Sequence, residues 1–186
     1  LRSLLPEGKV EPWATVFMQD VYNGLEGHVK RGEIKQLAIV QEIEKGNWAA
    51  QRTTKQNIAA FGFQFPLVSC GATYAPKKLW GYVDVDADGS AHFKAPAELP
   101  IYFLALDAEG RAVQRMRSFT HFQPGERQSC IGCHADRNYV TTNAPKRRAT
   151  ASKRPPQMPI KPEWGQRNFD YSTIVQPVFD KHCVTC

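Results

Sequence analysis

Cys130 and Cys133, in "ERQSCIGCHADRNY" (126–139), have two residues between them, and His134 follows the second directly. Such a turn sets two thiols side by side with an imidazole against them. Its first use is c-type haem attachment. Cys130 and Cys133 would bond the two vinyl groups on one porphyrin edge, and His134 would lie under the iron. Its other uses are half of a thiolate zinc site, a redox dithiol or a structural disulfide. The adjacent histidine favours haem, and no βαβ pattern surrounds the pair to suggest a thioredoxin-type dithiol. A second pair, Cys183 and Cys186, ends "PVFDKHCVTC". This stretch has the look of the opening helix and attachment turn of a cytochrome c domain, so a second haem is expected in a longer parent. His182 precedes that pair, on the wrong side for the usual proximal ligand.

The alternative joins all four cysteines in a tetrahedral zinc site, which would make the chain a non-redox β-sandwich interaction module. Against it, 49 residues lie between Cys133 and Cys183, and closing so long a loop costs entropy. Cys70 is the odd cysteine, read as a buried thiol. Met158, in "PPQMPIKP", is a weaker thioether candidate for the iron. His121 could line a pocket near the pair, while His28 and His92 read as surface residues. "DVDADG" (84–89) matches the opening of a calcium loop, but its twelfth position is Ala95 instead of a bidentate glutamate. A polar strand face and a turn explain the same acids.

These residues need a scaffold, and the pattern predicts a mainly β, sandwich-like one over 1–127. "ATVFMQDVYNG" (14–24) and "IKQLAIVQEIEK" (34–45) are strand-length apolar runs, the second leaning to strand through Ile39, Val40 and Ile43. "QNIAAFGFQFPLVSC" (56–70) is irregular and reads as loop with a strand in it. "LWGYVDVDADGSAHFKAP" (79–96) alternates on both sides of a turn at 86–89 and predicts a hairpin with one dry face. Residues 101–106 are apolar on both faces, as in a strand at the middle of a sandwich. A tight turn at 107–110 then leads into a returning strand.

The attachment segment spans 128–143 and a basic, proline-rich linker 144–168. Residues 169–186 open the second, truncated cytochrome c domain with a short helix, capped by Asp170 or Ser172 and holding Pro177 in its first turn. The chain starts without an initiator methionine and stops at Cys186 inside a motif, and so reads as a piece of a longer protein. Net charge is +6, and "KRRATASKRPP" (146–156) contributes five positive charges. That run reads as solvated linker, with docking onto an acidic redox partner as its functional use. It has no interleaved aromatics, so nucleic acid is not expected. No run of about 18 apolar residues exists to span a membrane.

"GSAHFKAPAELPIYFLALDAEGRAVQRMRSFTHFQPGERQSCIGCH" (89–134) resembles the hydrazine synthase alpha subunit middle-domain family, together with the planctomycete-type multidomain cytochromes related to it. "GLEGHVKRGEIKQLAIVQ" (24–41) is similar to the upstream part of that domain. The resemblance spans roughly 10–140. It implies a β-rich domain, one covalent haem c, and a periplasmic or other extracytoplasmic location. It also implies partners among the other domains or subunits of a larger redox protein, for which oxidoreductase activity is one open reading. Cys130 and Cys133 carry over as tethers and His134 as the motif histidine. In the family a tyrosine a few residues on is thought to bind iron, which makes Tyr139 the alternative axial ligand here.

Overall fold

The fold is that of a computed structural model, which describes residues 11–42, 77–116, 118–133, 148–163 and 174–184. Cys70, His134, Tyr139 and Cys186, the stretch 56–70 and the capping candidates Asp170 and Ser172 lie outside these residues.

Among the described residues seven strands form two sheets. They are β1 (Trp13–Met18), β2 (Gln36–Glu42), β3 (Lys77–Asp84), β4 (Ala91–Pro96), β5 (Ile101–Leu106), β6 (Ala112–Arg115) and β7 (Arg127–Cys130). One sheet has the order β4-β1-β7 and the other β3-β2-β5-β6. Alternation along each strand turns Ala14, Val16, Ala91, Phe93 and Ala95 of the first sheet towards Leu37, Ile39, Val83, Ile101 and Phe103 of the second. The Phe93 and Phe103 rings meet edge-on between the sheets, 5.6 Å apart. The chain is therefore a mainly β sandwich, as its alternation predicts.

Residues 101–106 are apolar on both faces for a structural reason. Ile101, Phe103 and Ala105 face the main core, while Tyr102 and Leu106 are buried with Ala38 and Val40 in a second cluster on the outer face of the four-stranded sheet. The return after the 107–110 turn is a true hairpin, β5 with β6.

The expected hairpin across 86–89 is not one. Its turn forms, with Asp86 N–H bonded to Ser90 O (2.8 Å) and Gly89 N–H to Asp86 O (2.8 Å). Yet β3 leaves it for β2, and β4 for β1 in the other sheet. Alternation identifies a dry face but not a partner, and here both dry faces look into one core from opposite walls.

Residues 148–163 are not a solvated linker. They form a strap across the seam between the sheets. A 3-10 turn, Thr150–Lys153, buries Ala151 completely. Gln157 then bridges to Phe93 of β4, and Ile160 to Tyr82 of β3. Backbone bonds Gln157 N–H to His92 O (2.8 Å), Lys94 N–H to Gln157 O (2.8 Å), Tyr82 N–H to Ile160 O (2.9 Å) and Ile160 N–H to Tyr82 O (2.8 Å) fasten it. Gly81, with φ at +142°, makes room, since a Cβ there would press into the Ile160 carbonyl.

The acids of "DVDADG" hold the strap. Asp86 pairs with Arg154 at 2.8 Å, Asp88 accepts Thr150 N–H at 2.7 Å, and the Ser90 hydroxyl accepts Ala151 N–H at 3.0 Å. Burial opposes ionising Asp88, but hydrogen bonds from Ser90 and Thr150 outweigh it and bring the carboxyl down to about 2.

The last described element is α1 (Gln176–His182), with Pro177 in its first turn as expected and Val175 at its N-cap. Lys181 and His182 sit in its last turn, where positive charge suits the helix dipole. Among the described residues no helix is long and apolar enough to cross a membrane.

Candidate functional site

The site grows out of β7, which runs parallel to β1 with Thr15 opposite Arg127 and Met18 opposite Cys130. Parallel pairing requires the two strands to be joined by a long excursion, and here the rest of the sandwich supplies it. Cys130 is the last strand residue. Its carbonyl accepts Gln19 N–H at 2.9 Å, and the Ser129 hydroxyl accepts from the Gln19 side chain at 3.1 Å.

The chain then turns over residues 19–23. Ile131 points outward, 43% exposed, and Gly132 packs against Asn23 and Asp20 of the turn. A Cβ at 132 would overlap the Asn23 carbonyl oxygen and come within 2.9 Å of the Asp20 carbonyl oxygen. Cys133 N–H closes the arrangement on Val21 O at 3.3 Å. Glycine is thus demanded at 132 by close approach, a signal present in the sequence as the small residue inside C-I-G-C.

Both thiols are unpaired and both pack against the main core. Burial raises the Cys130 thiol. Burial, with smaller effects of Cys130 and Asp20, pushes Cys133 up to about 12. Redox dithiols work through a lowered thiol pKa. These apolar surroundings do the reverse.

The other candidates fall apart from this pair. Met158 is 53% exposed on the strap, next to Gln157. The strap lies beyond β4, so three strand spacings, about 14 Å, separate its row from β7. His121 is exposed and stacks edge-on against Phe119 at 5.3 Å. His28 is exposed. His92 is half-buried, its Nδ1 3.1 Å from Arg154 O and its ring 5.5 Å from that of Phe17, so it serves the strap. Cys183 is exposed just after α1. Among the described residues no three His, Cys, Asp or Glu side chains converge as a metal site.

The hydrazine synthase alpha subunit middle-domain family model matches residues 32–135. The chain belongs to this family. The match runs from just before β2 to one residue past the C-x-x-C-H motif, and so contains both cysteines and His134. Hydrazine synthase subunit alpha of Kuenenia stuttgartiensis is 25% identical over 111 residues, covering 58% of this chain and 13% of that protein. A solved chain of Kuenenia stuttgartiensis hydrazine synthase superposes with a TM-score of 0.65 at 20% identity, over 97% of this chain and 30% of that one. At that identity the likeness concerns the fold, which extends well beyond the 32–135 match. The chain spans a small fraction of both relatives' length.

Proposed function

We propose that this chain is a c-type haem-binding domain of a larger, exported redox protein. Cys130 and Cys133 tether one haem c, and His134 is the iron ligand, with Tyr139 as the alternative. The observation that carries this reading is the attachment turn itself. Two unpaired thiols, with two residues between them and a histidine after the second, are fixed by backbone bonds at the edge of the β4-β1-β7 sheet and pressed against its core.

When bound there, the group supplies a one-electron iron centre, for electron transfer within the parent protein or for redox chemistry on a small molecule. The chain's own residues do the rest. β7 and the 19–23 turn fix the two sulfur positions, and the core behind them keeps water from one side. Cys183 and Cys186 tether a second haem in the longer parent. The partners are that protein's other domains or subunits, and an acidic redox partner has less basic surface to meet than the sequence offers, because Arg154 is spent on Asp86. The compartment is the periplasm or its equivalent, where such tethering takes place.

The test is production in an exporting host with a cytochrome c maturation system. A haemochrome spectrum and a mass gain of one ring, lost in Cys130→Ala/Cys133→Ala, are expected. Colourless wild-type protein overturns the reading, and stoichiometric zinc in that protein would establish the four-cysteine alternative. Rapid carbon monoxide binding by the coloured protein marks an open iron face, whereas refusal marks electron transfer.

A further inference from the structure

The 19–23 turn that seats the attachment loop is itself held by an ion pair. Asp20 Oδ2 pairs with the Arg31 guanidinium, and its Oδ1 accepts Tyr22 N–H at 3.0 Å. Asp20 is well covered, 13% exposed, while Arg31 reaches in from solvent at 62%. Arg31 lies over the Tyr22 ring, 5.1 Å from its centroid, and donates to Asp88 O at 3.4 Å. The Tyr22 hydroxyl is fixed in turn, accepting Gly32 N–H (2.9 Å) and Ile34 N–H (3.0 Å) and donating to Ile34 O (3.1 Å). The main chain of the same short turn carries the loop, through Gln19, Val21, Asn23 and the Asp20 carbonyl.

We infer that Asp20 and Arg31 form the positioning pair of the attachment loop and set the local charge beside whatever is tethered to Cys133. This rests on the haem reading above. The Asp20 main chain lies against Gly132, the residue before Cys133, and its negative charge helps raise that thiol. A covered carboxylate stabilises the more positive, oxidised form of a neighbouring iron, and a guanidinium opposes it. The pair therefore sets the potential by the balance of two charges, one sheltered and one exposed. Screening by solvent weakens Arg31 more than Asp20.

The experiment measures midpoint potentials of the holoprotein by spectroelectrochemistry at neutral pH. Asp20→Asn keeps the side chain's shape and its acceptor for Tyr22 N–H, and should raise the potential. Arg31→Gln should lower it. The double variant should return towards wild type, and Arg31→Lys should stay near it. Asp107→Asn makes the same charge change in the turn before β6 and should leave the potential in place. Hydrogen exchange at Cys133 N–H should quicken in Asp20→Asn and Arg31→Gln, which reports the positioning role separately. Should Asp20→Asn fail to fold, the exposed Arg31→Gln still decides the sign. Coloured protein in which both single variants leave the potential unchanged, or move it the same way, overturns this inference alone. Colourless wild-type protein overturns the haem reading, and this inference with it.

Discussion

Gly132→Ala probes the seat of the attachment loop most directly. The new Cβ would stand 2.7 Å from Asn23 Cβ and 2.9 Å from the Asp20 carbonyl oxygen, besides overlapping the Asn23 carbonyl. These atoms belong to a closed turn, Asn23 N–H to Asp20 O at 3.1 Å, and not to a flexible side-chain tip. Carbon contacts are comfortable near 3.5 Å and beyond, so the loop must lift by about 1 Å. Lifting it gives up the bond from Cys133 N–H to Val21 O, about 1 kcal/mol. Overpacking adds about 1–3 kcal/mol. The sum, about 2–4 kcal/mol, lowers the melting temperature by about 4–16 °C for a domain of this size. Thermal unfolding followed by circular dichroism reads the effect, beside Ile131→Ala, whose exposed side chain should cost less than about 0.5 kcal/mol. A Gly132→Ala protein that melts within about 0.5 kcal/mol of wild type would refute the close seating described here.

Three other outcomes are expected. In protein without the ring, iodoacetamide at pH 8 should modify exposed Cys183 well before Cys133, whose thiol is pushed up to about 12; peptide mapping gives the order, and Cys133 reacting first would contradict the apolar setting. Asp88 titrates near 2 in the folded chain against about 3.9 unfolded, so its contribution is fully present above about pH 4 and fades as pH falls towards 2. The melting-temperature gap between wild type and Asp88→Ala should close over that window, and a gap constant down to pH 2 would count against the strap contacts. Phe93→Ala, at a fully buried ring between the sheets, should cost about 3–5 kcal/mol in denaturant melts, and a loss below about 1 kcal/mol would contradict a shared core.

The sandwich is legible where side-chain periodicity states it. Val83 and Phe93 announce dry faces, and the doubly apolar 101–106 announces an inner strand, because burial acts on each residue locally. Partnership is not local. The sequence around 86–89 looks like a hairpin because turn chemistry and alternation are both present, yet each strand finds a better edge elsewhere. β7 is hidden for a related reason: "RQSC" has little apolar content and its pairing is carried by backbone groups. The strap is the largest misreading. Its prolines and basic residues describe a solvated chain by composition, and its attachment is made by main-chain bonds and by Gln157, which holds Asp84 N–H and O at 3.1 Å each. The clue lay in charge: the acids at 86 and 88 have no calcium loop to serve, and in the fold they meet Arg154 and the Thr150 N–H of the strap. For the site, the cysteines and His134 are named by spacing alone, whereas the turn beneath them is visible only once β1 and β7 are side by side.

That adjacency has a bearing on biogenesis. Gln19 and Ser129, which bond across it, are 110 residues apart in the chain, so the two strands meet only after nearly the whole domain has been made. Contacts over such separations close slowly, since the chain must first give up the entropy of the intervening loop. Pairing of β7 with β1 brings Cys130 and Cys133 against the 19–23 turn, so the geometry of the C-x-x-C loop is set late, by a long-range contact and not by the loop's own sequence.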